Sequence, residues 1–389
     1  MKLGIVGGRL QGIESTYLAR KAGFETFVID RRPEVPAFSL ADEFKVIDVV
    51  KQRDEALRSL SNCNAILPAN EDIETLTTLD KISRELKIPL LFDLDSYNIS
   101  CSKFLSNQIM KGLNIPMPDP WPNCSFPVII KPSSQSGSTG VMKVHDEEKL
   151  REGMRFISEM DEDIIVQEFV DGPNISIEVI GNGKRAVPLI LTEVILDNTY
   201  DCKMVRCPTS DFDSNIGDNI KEYGRKVAES LSLRGIMDLE AIVHNGIAKV
   251  LEFDARIPSQ TPATVLHATG INLVKLLFDA LVNDELDSAT PLHNKAAIYE
   301  HIIVDGEAMM SCGEGQFSNV DNLRLQIGLF DSDEMITNYT PRRKKWHAIV
   351  ICTGNSPQEA WTKRQKCINQ IIEKNKITHY LDPVPEVSK

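Results

Sequence analysis

GIMDLEAIVHNGIAKVLEFDARIPSQTP, residues 235–262 of a 389-residue chain, is the stretch whose reading decides the fold. It carries Asp238, Glu240, Glu252 and Asp254, with Arg256 just beyond. Apolar residues alternating with acids on either side of Asn245-Gly246 predict two strands around a turn. Side chains two apart on a strand share a face, so Glu252 and Asp254 point the same way, roughly 7 Å apart. Whether Glu240 joins them depends on the turn. A two-residue Asn245-Gly246 loop would set Glu240 across from Leu251, on the wrong face. A three-residue His244-Asn245-Gly246 loop pairs Val243 with Ile247 and is the expectation here. It places Asp238 opposite Glu252 and groups Ile242, Ala248 and Val250 with the acids. The other face is then Met237, Leu239, Ala241, Val243, Ile247, Leu251 and Phe253, with Lys249 the one base among them. Carboxylates this dense repel one another unless a cation lies between them. Magnesium prefers a few carboxylates plus phosphate oxygens and water, so Glu240, Glu252 and Asp254 predict a metal–nucleotide site. The ordinary alternative is a solvated strand face whose acids pair with lysines.

Working outward, the length predicts two or three domains. Hydrophobic content of 42% and charged content of 25% are those of a globular protein. A net charge of −13 and a pI near 5.1, with no basic run, exclude nucleic acid as an expected partner. An acidic chain that binds an anionic nucleotide must concentrate cations locally or use a metal. The 8 cysteines form no C-x-x-C pair, which argues against a zinc knuckle or a disulfide framework. The start, MKLGIVGGRLQG, has too short an apolar run for a signal peptide, and no stretch approaches a membrane span. The expected compartment is the cytoplasm, with no membrane partner.

Residues 1–92 alternate strand and helix. Apolar runs at Leu3–Val6, Glu25–Ile29, Phe44–Val49, Ala65–Leu67 and Pro89–Phe92 predict an open parallel sheet. Residues 93–171 read as a small α+β unit. It has a helix from Lys103 to Gly112, strands at Pro127–Lys131, Val141–Val144 and Ile164–Phe169, and a helix over 147–158. Residues 172–389 form a third unit, with strands over 174–181 and 185–196, a helix over 217–231, the acidic hairpin and an α/β tail.

Several positions offer chemistry of their own. Gly7-Gly8 and Gly12 lie where the first strand meets the first helix, and Asp30 ends the second strand where a ribose-binding acid would sit. The glycines miss the G-x-G-x-x-G spacing, so dinucleotide binding is weakly supported against a repurposed domain of the same shape. Lys131 ends a strand and precedes the polar loop 132–140, whose amides and hydroxyls can close over phosphates; the alternative is a surface lysine. Lys103 alone reads as a solvated helix residue. Glu168, in IIVQEFV, can accept from an adenine amino group or a ribose, or be an edge-strand glutamate. Arg256 can stabilise charge on a phosphoryl group or a substrate carboxylate, or simply pair with Asp254 or Glu252. Ser259, Gln260 and Thr261 add neutral donors. Tyr200 and Asp201 offer a lid or a plain polar loop. The seven histidines read as structural.

Lysine, polar loop, hinge glutamate and carboxylates in this order resemble the ATP-grasp superfamily. The segments VGGRLQG (6–12), ADEF (41–44), AILPANE (65–71), SIEVIGNG (176–183), DNTYDCKMV (197–205), GIMDLEAI (235–242), EFDARIPSQTP (252–262) and YEHIIV (299–304) resemble, within it, the pyrrolysine-biosynthesis ligases. That resemblance implies an α/β and α+β chain: an ATP-grasp fold behind an N-terminal Rossmann-like (pre-ATP-grasp) domain. It implies an ATP-dependent carboxylate–amine ligase that joins 3-methyl-D-ornithine, or D-ornithine, to the ε-amine of L-lysine through an acyl phosphate. Lys103 and Lys131 would touch the phosphates, and Gln167, Glu168, Phe169 and Val170 the adenine and ribose. Glu240, Glu252 and Asp254 would hold two Mg2+ ions. Ser176, Glu178, Asp238, Arg256, Ser259, Gln260 and Thr261 would line the ornithine-type substrate, and Leu10, Gln11 and Glu71 would place L-lysine. Arg256 and Lys131 would be catalytic. Many superfamily members carry Glu-x-Asn where this chain has Glu252-x-Asp254; the pyrrolysine ligases resemble it in using Asp. The loop SSQSGSTG departs from the family pattern. A ligase of another carboxylate and amine, an NAD-dependent oxidoreductase and a non-catalytic ATP sensor are the competing expectations.

Overall fold

The computed structural model describes residues 1–134, 137, 139–160, 162–208, 214–287 and 289–385, with Ser214 described by its backbone alone. The chain opens on a four-stranded parallel sheet built from β1 (Lys2–Val6), β2 (Glu25–Asp30), β3 (Glu43–Val46) and β4 (Ala65–Pro68), in the order β3-β2-β1-β4. Helices α1 (Leu10–Lys21), α2 (Arg53–Leu60) and α3 (Ile73–Leu86) connect the strands. The run at Phe44–Val49 is a strand only as far as Val46. Pro89–Phe92 adds no strand: a single bridge joins Leu90 to Ile66. Helix starts follow capping chemistry, with the Asp72 carboxylate accepting from Thr75 N at α3.

Helices α4 (Leu94–Ser100) and α5 (Lys103–Gly112) lead into a three-stranded antiparallel sheet of β5 (Val128–Pro132), β6 (Met142–Val144) and β7 (Ile164–Glu168), in the order β6-β5-β7. Helix α6 (Glu147–Ser158) covers it, and Val128, Ile130, Leu150 and Ile157 form a core of its own.

The rest is one 11-stranded sheet. Its main path is β12 (Ile247–Asp254), β11 (Arg234–His244), β8 (Asn174–Asn182), β9 (Ala186–Leu196), β10 (Cys202–Cys207), β13 (Ala296–Asp305), β17 (Lys345–Gly354), β16 (Glu334–Thr337) and β15 (Arg324–Ile327). β14 (Ala308–Ser311) pairs with β13, and β18 (His379–Leu381) pairs with β14. Helices α7 (Ser214–Ser230), α8 (Thr261–Thr269), α9 (Leu273–Val282) and α10 (Pro357–Asn375) complete the chain. Ile175, Ile177 and Val179 from β8 join Met237, Leu239, Ala241, Val243, Ala248, Val250 and Phe253 in one core with α7. That core occupies one face of β8, β11 and β12, so the acids take the other. Among the described residues no single helix is long and apolar enough to cross a membrane.

The hairpin corrects the sequence reading. The loop is the two-residue Asn245-Gly246, both at positive φ, with His244 opposite Ile247. Val243 pairs with Ala248 and Ala241 with Val250, so Ala248 and Val250 pack into the core and not beside the acids. Lys249 pairs with Ile242 and is ion-paired with Glu168 on β7, away from the apolar face. A β-bulge between Glu240 and Ala241 then absorbs Leu251 as an extra residue, which returns Glu240 to a position opposite Glu252. Asp238 consequently faces Asp254 and not Glu252.

Candidate active site

Register across three strands builds the floor of the site. Ser176, Glu240 and Glu252 form one row, and Glu178, Asp238 and Asp254 form the next. Cross-strand partners share a face, so two rows of polar side chains stand side by side. The side chains of Glu178 and Asp238 are buried, and among the described residues both Glu178 oxygens, Asp238 Oδ1 and the Ser176 hydroxyl lack hydrogen-bond partners.

Burial and crowding set the charges. Burial pushes Glu240 up to about 7, with Glu252 adding repulsion. Burial likewise raises Glu178 to about 7. Asp238 rises well above the usual range through burial, against the pull of Arg256. Asp254 also rises, again through burial opposed by Arg256. Glu252 differs: burial is outweighed by Lys103 and Lys131, and its carboxyl falls below the usual value. Lys103 Nζ stands 3.2 Å and Lys131 Nζ 3.9 Å from Glu252 Oε2. Lys131 is only 7% exposed, and burial lowers its pKa. Lys131 comes from β5 of the small sheet and Lys103 from the start of α5, which packs on the large sheet's core, so the two lysines reach the acids from different elements.

A cleft of about 530 Å³ lies between the two sheets. Lys103, Lys131, Gln167, Glu168, Phe169, Val170, Glu240 and Glu252 line it, with Tyr200, Ile242 and Leu251. The bulge explains Leu251: the extra residue turns an apolar side chain toward the cleft beside Glu252. Glu168 is engaged by Lys249 and by the backbone amide of Asp119 at 3.1 Å. Gln135, Ser136 and Ser138 of the predicted polar loop lie outside the described residues.

Arg256 joins the floor to the first 92 residues. Its Nη2 is 3.0 Å from Asp254 Oδ2 and its Nε 2.8 Å from Glu71 Oε1, the latter an ion pair not aligned as a hydrogen bond. Gln11 Nε2 donates to the same Glu71 oxygen at 2.7 Å. Leu10, half-buried, starts α1 beside Gln11. Ser259, Gln260 and Thr261 follow Arg256. The Ser259 hydroxyl donates to Glu314 Oε2, and Gln260 Nε2 reaches the same atom at 3.0 Å. Gln260 adopts φ 71°, and Thr261 Oγ1 is buried without a partner.

The sequence reading missed four contributors. Ser100 donates to Asp254 Oδ1 at 3.3 Å and accepts from Ala255 N at 3.0 Å, fixing that acid from behind. Glu314 holds Ser259 and Gln260. Glu14, buried on α1, accepts from Ala263 N at 2.7 Å at the start of α8, and burial pushes it up to about 8. Arg206, paired with Glu193 at 2.8 Å, lines the cleft from β10 and β9. Only contacts across more than 50 residues, or a charge in an otherwise plain strand, could have revealed them. The lid expectation divides: Tyr200 lines the cleft, whereas Asp201 turns inward to accept from Gly315 N at 3.0 Å. Asp30 accepts from Gly8 N and Arg32 N, both at 2.8 Å, so the acid of the glycine turn is taken up by its own chain. A Cβ on Gly7 would lie 2.1 Å from the Ala69 carbonyl, which fills the space beside that turn.

Among the described residues no group of three or more acidic, histidine or cysteine side chains is arranged to hold a metal ion by itself. The donor set still fits magnesium: Glu240, Glu252 and Asp254 are half-buried, crowded and mutually repulsive, and magnesium takes few protein carboxylates when phosphate completes its shell.

Comparison with known proteins agrees with this construction. Residues 3–90 match the model of a PylC-like N-terminal domain, and residues 100–260 that of an ATP-grasp domain. The 3-methyl-D-ornithine–L-lysine ligase of Methanosarcina acetivorans is 37% identical over 362 residues, covering 93% of this chain and 95% of the relative. That of Methanosarcina barkeri is 35% identical over 372 residues, covering 95% and 97%. Among solved structures, the biotin carboxylase domain of the Hydrogenobacter thermophilus 2-oxoglutarate carboxylase, in complex with MgADP, ADP and bicarbonate, aligns with TM-score 0.73 at 14% identity, covering 95% of this chain and 89% of that one. Both domain models in order, and relatives of this identity along nearly the whole length, place the chain in the ATP-grasp superfamily, where it belongs to the family of 3-methyl-D-ornithine–L-lysine ligases.

Proposed function

We propose that the chain is an ATP-dependent carboxylate–amine ligase that joins 3-methyl-D-ornithine to the ε-amine of L-lysine in pyrrolysine biosynthesis. The observation that carries this reading is the excess of crowded carboxylate over cation on the floor, with Glu178 and Asp238 buried and the other three half-buried. Glu178, Asp238, Glu240, Glu252 and Asp254 face Lys103, Lys131 and Arg256, and Glu178 and Asp238 retain unpartnered oxygens. A floor of that kind calls for cationic ligands: divalent ions on one row, and the ammonium groups of a diamino acid on the other.

In this reading Lys103 and Lys131 meet the triphosphate, and Gln167 through Val170 receive adenine and ribose. Glu240, Glu252 and Asp254 would hold magnesium, two ions in our reading. Bound there, the metal offsets charge on the phosphate oxygens as a Lewis acid. The substrate carboxylate attacks the γ-phosphate in line, with Lys131 offsetting the negative charge that gathers there. The acyl phosphate so formed is held over Ser176, Glu178 and Asp238, with Ser259, Gln260 and Thr261 at its edge. The lysine ε-ammonium, oriented by Leu10, Gln11 and Glu71, gives up a proton to become the free amine, which attacks the acyl carbon and expels phosphate. Arg256, bridging Asp254 and Glu71, stands where it can steady the oxyanion. The cleft's apolar wall excludes water that would hydrolyse the intermediate. We place this activity in the cytoplasm.

The test is to incubate the protein with ATP, Mg2+, D-ornithine and L-lysine and to follow ADP and the coupled product by mass spectrometry. Product dependent on both amino acids is expected. Intact nucleotide binding with no coupled product overturns the reading.

A further inference from the structure

Lys203, near the start of β10, is 2% exposed, although a lysine ammonium is costly to bury unless it is paired and hydrogen-bonded. Its partners come from the far end of the chain: the Asp382 carboxylate and the Pro383 carbonyl. Both follow β18, which is held by pairing with β14 and by the Tyr380 hydroxyl, which accepts from Arg364 at 2.7 Å. Immediately beyond, Val384 and Pro385 stand in the wall of the cleft that also contains Lys131 and Glu252. With these residues in place the cleft still encloses about 530 Å³, a size typical of small-molecule sites, so the segment is a wall and not a plug. Strand β10 also bears on the substrate end, because the Cys202 thiol donates to Gln260 Oε1 at 2.9 Å. The segment therefore docks onto a strand whose neighbouring residues touch both ends of the site.

We propose that residues 382–385 form a strap, keyed into place by Lys203, that completes the nucleotide cleft and strengthens ATP binding. The proposal rests on the reading of that cleft as the nucleotide site. Lys203 acts as a positioning residue, and Val384 and Pro385 supply apolar surface against the bound nucleotide.

The wild-type chain, a chain ending at Leu381, and the variants Asp382→Ala and Lys203→Met are assayed for ADP release with MgATP, D-ornithine and L-lysine. The strap predicts a KM for ATP raised about tenfold in all three altered chains, the scale of one or two apolar side chains leaving an interface. The KM values of the amino acids and kcat stay within about twofold, because the chemistry is untouched. Site-resolved alkylation of a Val384→Cys variant should slow several-fold when MgADP is added. An unchanged KM for ATP in the shortened chain and in Asp382→Ala overturns the strap. A lowered KM overturns it equally, by making the segment an obstruction. If Lys203→Met does not fold, those two chains still decide. A wild-type chain that binds MgADP but releases no ADP fails the ligase reading alone, and the alkylation rates then decide the strap.

Discussion

Glu240 holds its position at a cost. Its carboxyl is half-buried on the cleft floor and faces Glu252, and both push its pKa up to about 7, so in the metal-free protein its charge opposes folding. Replacing it with glutamine keeps the shape and removes the repulsion. Glu240→Gln is therefore expected to melt no lower than the wild type without magnesium, while ligase turnover falls at least about a hundredfold, the scale seen when a metal's surroundings are disturbed. Calorimetry with and without MgATP, alongside steady-state assays, checks both halves; an active or a severely destabilised variant would contradict the account. At this scale much of the site was legible. A period of two puts Glu252 and Asp254 on one face, and Arg256 follows them directly. Ser100, Glu314 and Glu14 were not legible, because each acts on the site through a contact more than 50 residues away, and nothing local marks a serine or glutamate for that role.

At the scale of elements, the hairpin reading put Glu240 beside Glu252 for the wrong reason, and it mispaired Asp238 and misplaced Ala248 and Val250. Asn245-Gly246 is a strong two-residue turn, and a regular ladder from it would have set Glu240 opposite Leu251. The sorting of acids from apolar residues seemed to demand a longer loop, yet the same parity comes from a bulge inside the strand. A bulge has no sequence signature here, since Leu251 is as good a strand residue as its neighbours. Deleting Leu251 should regularise the ladder and leave Glu240 opposite Glu252. Mg2+-dependent ATP turnover is then retained, while the KM for ATP rises by roughly tenfold through loss of one apolar wall residue. Loss of the magnesium dependence in that variant would contradict the view that Leu251 is the extra residue and that Glu240 opposite Glu252 is the working register.

Over the whole molecule, two kinds of joint are visible. The four-stranded sheet shares a continuous core with the large sheet, running from Leu3 and Ile5 to Ile349 and Ile351. Polar ties cross the same junction: Glu14 to Ala263 N, and the Tyr17 hydroxyl to Glu334 at 2.7 Å. Glu14 titrates near 8 in the folded chain against a usual 4.5, so the native state holds a proton that the unfolded chain has already released. Raising the pH from about 4.5 to 8 therefore lowers stability through this group, at up to about 1.4 kcal/mol per unit, with no further change above that window. Glu14→Gln should flatten this part of the stability profile in denaturant titrations; an unchanged slope would remove Glu14 from the account. The three-stranded sheet is joined differently, since its core of Val128, Ile130, Leu150 and Ile157 is separate. Amides of β5, β6, β7 and α6 should exchange faster than those of β8 and β11 without ligand, and slow when MgATP bridges Lys131 to the floor. Equal protection in both states would contradict that looser joint. The four-stranded sheet was readable from alternating strand–helix runs and the three-stranded one from its antiparallel pattern; which segments share a core was not, since Tyr97, Met110 and Ile115 pack with the large sheet, and core continuity is a property of packing between distant segments.

The central claim is that ATP activates the substrate carboxylate as an acyl phosphate above the acid floor. D-ornithine carrying ¹⁸O in its carboxylate, incubated with ATP, Mg2+ and L-lysine, tests it most directly. The account predicts that one ¹⁸O passes to inorganic phosphate for each peptide bond formed, with ADP as the other product. Phosphate free of label, or AMP in place of ADP, would contradict it.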